Sequence, residues 1–179
     1  MRTRLLLRAI LAIIVLAGAS ADAADELKVG DPAPLFTAKT HDGSDFDLAS
    51  RKGQWTVLYF YPKAGTPGCT KQADAFRDNI KAIRDQGAEV YGISTDTFFA
   101  LKAFSDQQKY NFPLLSDFNK QVIRDYGVFN EDMIGLKGIS KRAVFVLDKD
   151  GVVRHKEVLE DARNEPNYQK VHDTLAALG

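Results

Sequence analysis

Hydrophobic positions along the chain follow two rhythms. Residues 55–61 (Trp, Thr, Val, Leu, Tyr, Phe, Tyr) form a near-continuous apolar and β-branched run, the pattern of a strand buried on both faces in a parallel-type sheet. Pro62 closes it. Cys69, Ala73, Phe76, Ile80 and Ile83 then recur at steps of four and three, so they share one stripe of a helix, with the cysteine on its buried side. Residues 89–94 read as a second core strand. Residues 98–110 read as a helix carrying Phe98, Leu101, Phe104 and Gln108 on roughly one face, broken by Asn111, Phe112 and Pro113.

A short helix over residues 120–126 ends at Gly127, which suits a left-handed cap. Residues 143–147 are a third core strand; the turn of Asp148, Lys149, Asp150 and Gly151 leads into residues 152–158, predicting an antiparallel pair. The last helix is expected over residues 164–178, with Tyr168, Val171, Leu175 and Leu178 on its apolar stripe. Upstream, Asp31, Pro32, Ala33 and Pro34 form a stiff start, and residues 35–37 and 46–48 flank a turn at His41, Asp42 and Gly43, predicting an N-terminal β-hairpin. The order of elements predicts an α/β fold with a mixed central β-sheet flanked by helices.

Composition adds a domain count and excludes one class of partner. The 179 residues, 45% hydrophobic and 27% charged, match one globular domain. Lys plus Arg equals Asp plus Glu at 24 each, so no net field favours nucleic acid. Residues 1–23 read differently: Arg2, Arg4 and Arg8 precede an uncharged run from Ala9 to Ala17, then Gly18, Ala19, Ser20 and Ala21. This is the layout of a signal peptide, cleaved after Ala21 or Ala23. The run falls short of the roughly 20 residues that span a bilayer, so an uncleaved anchor is the weaker reading. The expectation is an exported, periplasmic protein whose domain occupies residues 24–179, with no stable membrane insertion after processing.

Export changes how Cys69, the only cysteine, is read. Oxidising compartments pair thiols, yet no partner exists in the chain. A lone cysteine is an intermolecular link, an inert buried side chain or a reactive thiol. The flanking residues favour the last. Between strand and helix, Thr66 suits an N-cap and Pro67 the first helical position, which sets Cys69 in the first turn. There, backbone amides and the positive end of the helix dipole favour thiolate, the nucleophilic form. Gly68 leaves room for a small substrate to approach the amides.

Residues 59–78 (Tyr, Phe, Tyr, Pro, Lys, Ala, Gly, Thr, Pro, Gly, Cys, Thr, Lys, Gln, Ala, Asp, Ala, Phe, Arg, Asp) resemble the active-site segment of peroxiredoxins, nearest the bacterioferritin comigratory protein or Q-type subgroup. Proline, three residues, threonine, two residues and cysteine fall on Pro62, Thr66 and Cys69. The resemblance extends to Gly30, Asp31, Ala33 and Pro34, to Ser116 and Asp117, to Tyr126, Gly127 and Val128, and to Arg142 ahead of the third core strand. It implies a thioredoxin-like fold, with which the order of elements is compatible. It also implies a peroxidase that reduces hydrogen peroxide and organic hydroperoxides through a cysteine sulfenic acid. In that scheme Cys69 attacks, the Thr66 hydroxyl and Cys69 amide hold the peroxide, Arg142 stabilises charge and Pro62 shields the thiolate. Lys141 is a weaker candidate for the arginine's role.

Two positions depart from that pattern. Asp74 stands where the subgroup often has a resolving cysteine, so an external thiol, either a thioredoxin-like protein or a small thiol, has to close the cycle. Gln72 stands where glutamate is expected. The subgroup also implies a monomer and no cofactor. Two other readings share the fold: a thiol-disulfide exchange protein, against which position 66 is threonine rather than a second cysteine, and a peroxide sensor or redox-inert binding module. His41, His155 and His172 lie in separate segments without ligand spacing, so no metal site is expected.

Overall fold

The structure, a computed structural model, describes residues 26–178. The leader expected over residues 1–23 and its two cleavage positions lie outside them. In chain order the elements are β1 (Thr37–Thr40), β2 (Asp45–Asp47), a 3-10 turn (Leu48–Arg51), β3 (Trp55–Phe60), α1 (Pro67–Asp85), β4 (Ala88–Ser94), α2 (Phe98–Gln108), β5 (Leu114–Ser116), α3 (Gln121–Asp125), β6 (Phe129–Met133), β7 (Leu136–Ser140), β8 (Arg142–Leu147), β9 (Val153–Leu159) and α4 (Tyr168–Leu178).

Seven strands form one mixed sheet in the order β2-β1-β5-β4-β3-β8-β9, and β6 and β7 form a separate hairpin. Strand β3 runs parallel to β4 and antiparallel to β8. Its period-2 alternation feeds two cores. Trp55, Val57 and Tyr59 pack with the helical stripe Cys69, Ala73, Phe76, Ile80 and Ile83, while Leu58 and Phe60 pack on the opposite face with Tyr91, Val122 and Tyr126. Burial on both faces is why the sequence there is apolar without alternation. At Gly92, opposite Tyr59 in the register, a Cβ would lie 2.4 Å from the tyrosine ring; the bare backbone lets that ring cross the sheet.

The N-terminal hairpin forms about the expected turn, but its strands are residues 37–40 and 45–47 rather than 35–37 and 46–48. Strand β5 and the β6–β7 hairpin were not expected. The first is three residues long, too short for a period to register, and the second mixes charged and apolar residues without a steady period. The last helix begins at Tyr168 rather than at residue 164. Pro166 removes a backbone donor there, and the Asn167 side chain accepts from the Lys170 amide at 3.2 Å, capping the later start. Residues 160–167 form a loop instead, and that loop contributes to the site.

Candidate active site

Register alone delivers Arg142 to Cys69. In the β3–β8 pair Phe60 faces Ala143, so Arg142 stands level with Tyr61 at the carboxyl end of β3, where ligands bind in open α/β sheets. Val144 and Val146 face the α1 core and Ala143 and Phe145 the other; by the same alternation Arg142 projects towards α1. The solvated charge that a strand-edge arginine would ordinarily be is not what forms: Arg142 is 3% exposed.

Cys69 lies in the first turn of α1, behind Pro67 at the first helical position. Arg142 Nη2 is 3.7 Å from its sulfur. The same guanidinium is clamped from two further directions. Nε and Nη2 donate to the Ala162 carbonyl at 3.0 and 2.9 Å, and Nη1 donates to Gln72 Oε1. Every one of these partners is uncharged or is the cysteine itself, and among the described residues no carboxylate pairs with Arg142. The ionisable atom nearest this buried cation is the Cys69 sulfur. Tyr59 and Tyr61, fully buried beside the cysteine in the same core, add no competing charge, since burial pushes both phenols well above the ordinary tyrosine range.

Sequence reasoning located Cys69, Thr66, Pro62 and Arg142, and the structure brings all four to one groove of about 580 Å³. One detail differs. Thr66 is the N-cap residue, with extended backbone, but its hydroxyl makes no cap; it donates to the Lys63 carbonyl at 3.0 Å. Gly65, at φ 77°, turns the chain so that this carbonyl comes beneath the hydroxyl. The first-turn amides, which have no intrahelical acceptor, are thereby left without the threonine oxygen and point towards the groove's end of the helix. Gly68 serves more than access, because a Cβ on it would sit 3.1 Å from Arg142 Nη2. Lys141 is not the equivalent of Arg142: its ammonium pairs with Glu160 at 2.8 Å.

Three contributors were missed. Gln72 registered only as a departure from a pattern, although it is 0% exposed and orients the arginine. The Ala162 acceptor is a backbone carbonyl, which no residue type announces. Asp96, 3% exposed, holds the loop before α1: it accepts from the Ala64 amide at 2.8 Å and Ser94 Oγ at 2.9 Å and pairs with Lys63. Asp74 is 33% exposed and pairs with Arg77. Among the described residues no three His, Cys, Asp or Glu side chains converge on one point.

A thioredoxin-like sheet with a buried thiol at a helix start and an arginine across from it defines a class of protein, and comparison with known proteins places the chain within it. The chain belongs to the AhpC/TSA family, whose model matches residues 29–156, and within that family to the peroxiredoxins. Peroxiredoxin Bcp of Escherichia coli (strain K12) is 40% identical over 152 residues, covering 83% of this chain and 96% of the relative. The chloroplastic peroxiredoxin Q of Suaeda salsa is 46% identical over 125 residues, covering 70% and 57%. Among solved structures, peroxidoxin BcpB of Mycobacterium tuberculosis superposes with a TM-score of 0.77 at 33% identity, over 86% of this chain and 99% of that one. The bacterioferritin comigratory protein of Xanthomonas campestris, studied for its alkyl peroxide reduction activity, superposes with a TM-score of 0.72 at 28% identity, over 82% and 98%.

Proposed function

We propose that this chain is a thiol-dependent peroxidase that reduces hydrogen peroxide and organic hydroperoxides at Cys69. The observation that carries the reading is the buried arginine 3.7 Å from the sulfur of the only cysteine. The Cys69 thiolate attacks the terminal oxygen of ROOH in line. An S–O bond forms as the O–O bond breaks, the thiolate is oxidised to sulfenic acid, and RO⁻ leaves and takes up a proton as ROH or water. Arg142 stabilises the thiolate and the charge developing on the oxygen pair. The Thr66 hydroxyl and the Cys69 amide orient the peroxide, and buried Pro62 keeps bulk water from the sulfur.

With Asp74 at the position of a resolving cysteine and no second thiol in the sequence, an external thiol attacks the sulfenic acid. A second thiol then releases the mixed disulfide and restores Cys69. We further read the protein as a monomer exported to the periplasm. The leader pattern of residues 1–23 supports export, and the subgroup resemblance supports the monomer.

Peroxide consumption in excess dithiothreitol tests the enzymatic reading against a sensor. Sustained loss over many equivalents is expected; a single stoichiometric burst overturns turnover. Insulin reduction by the same protein should be absent, since the chain has no second cysteine to release it from a mixed disulfide with insulin.

A further inference from the structure

Asp96 is a nearly buried carboxylate, 3% exposed, to which the chemistry at Cys69 gives no part. It lies just beyond the end of β4, at the same edge of the sheet from which the chain leaves β3 for α1. Its own backbone is fixed from both sides: the amide donates to Ser94 Oγ at 3.3 Å, and the carbonyl accepts from Ser116 Oγ at 2.7 Å. Strands β4 and β5, neighbours in the central sheet, therefore give the carboxylate a rigid mount. Burying such a group is costly unless it is paired and hydrogen-bonded, and its partners are Lys63, the Ser94 hydroxyl and the Ala64 amide.

The last of these bonds leads to the site. The Ala64 amide donates to Asp96 Oδ2 at 2.8 Å, and the carbonyl of the same peptide unit, that of Lys63, accepts from the Thr66 hydroxyl at 3.0 Å. A peptide unit is planar, so anchoring its N–H fixes the direction of its C=O, and with it the only proton Thr66 Oγ1 can donate. A carbonyl has no proton to give in return, so the threonine oxygen faces the groove as an acceptor. The proton on the attacked oxygen of a hydroperoxide is the donor that suits it. Were the 63–64 peptide free to rotate, the hydroxyl proton could turn towards the peroxide and compete with that donor. Lys63 and Thr66 line the groove beside Cys69, and Asp96 stands behind them, outside its walls.

We propose that Asp96 is a positioning residue for peroxide reduction, acting through the 63–64 peptide to hold the Thr66 hydroxyl as an acceptor for the peroxide proton. This rests on the peroxidase reading and adds to it a residue that touches neither substrate nor sulfur. Two consequences separate the role from support of a loop. Asp96 governs how the peroxide is held and not how the thiolate forms, because Arg142 and the helix start act on the sulfur directly. Its effect also requires Thr66, the only group through which it reaches the substrate.

The test compares two reactions of the reduced full chain, each read at a temperature where circular dichroism shows the variant folded. One is oxidation by hydrogen peroxide, followed by stopped flow without reductant. The other is alkylation by iodoacetamide, which reads the thiolate without engaging Thr66. Asp96→Ala should lower the peroxide rate constant about tenfold, less than the roughly 10²-fold that a 1 Å misplacement can cost, and should leave alkylation within about twofold of wild type. Asp96→Asn, whose amide oxygen still accepts from Ala64, should regain most of the peroxide rate. In a Thr66→Val background Asp96→Ala should cause no further loss, the non-additivity of residues that act through one another. An unchanged peroxide rate in Asp96→Ala overturns the assignment, and so does a parallel fall in alkylation, which would make Asp96 a support for the helix start as a whole. A full further loss on top of Thr66→Val, or an asparagine variant as slow as the alanine one, overturns it too. A wild-type chain inert to peroxide would overturn the peroxidase reading itself, and the role of Asp96 with it.

Discussion

Arg142 and Cys69 stand 73 positions apart in sequence, yet guanidinium and sulfur lie 3.7 Å from each other. The antiparallel register of β3 and β8 sets the level, and strand alternation sets the face. Truncating Arg142→Ala should lower the second-order rate constant for peroxide by about 10² to 10³-fold, the usual loss when one preorganised charge-stabilising donor is removed. Competition kinetics against a peroxide indicator measure it. A loss below about threefold would mean that the helix start alone activates the thiol.

Gln72 is a positioning residue. Its amide oxygen accepts from Arg142 Nη1 without neutralising the cation. In Gln72→Glu a carboxylate shares that charge, so the sulfur has less of it. The variant should react about tenfold more slowly with hydrogen peroxide. An unchanged rate constant would show that the charge of this partner does not reach the sulfur.

Asp96 anchors the loop that precedes α1. Asp96→Ala leaves the Ala64 amide and the Ser94 hydroxyl without their acceptor, and should destabilise the fold by about 1–3 kcal/mol. Urea unfolding reads this directly. An unchanged midpoint would show that the loop holds itself.

His155, on β9, gives the fold a pH dependence. Burial holds its imidazole below the ordinary value of 6.5, against a weaker opposing pull from Glu157, with Lys170 adding to the depression. As pH falls through 6.5 the unfolded chain takes up a proton that the folded chain resists, so this contribution is complete above that pH and lost below it. Between about pH 7 and pH 5, wild type should lose stability relative to His155→Phe. Parallel urea midpoints for the two proteins across that range would contradict the assignment.

How much of this was readable in advance depended on what kind of signal each part leaves. Strands β3, β4 and β8 and helix α1 announce themselves through long apolar runs or steady periods, and Thr66, Pro67 and Cys69 mark the helix start by residue type. Strand β5 is too short to show a period, and β6 and β7 mix charged and apolar residues without a steady one. The Ala162 carbonyl leaves no trace in residue identity. Gln72 was visible only as a departure from a pattern, since its partner is brought in by the sheet from 70 positions away.

The most direct test is peroxide turnover by Cys69→Ser, measured with excess thiol and alongside a circular dichroism spectrum that shows the fold retained. Consumption at the background rate of thiol and peroxide alone is the result predicted. Turnover at the wild-type rate would place the chemistry elsewhere in the chain.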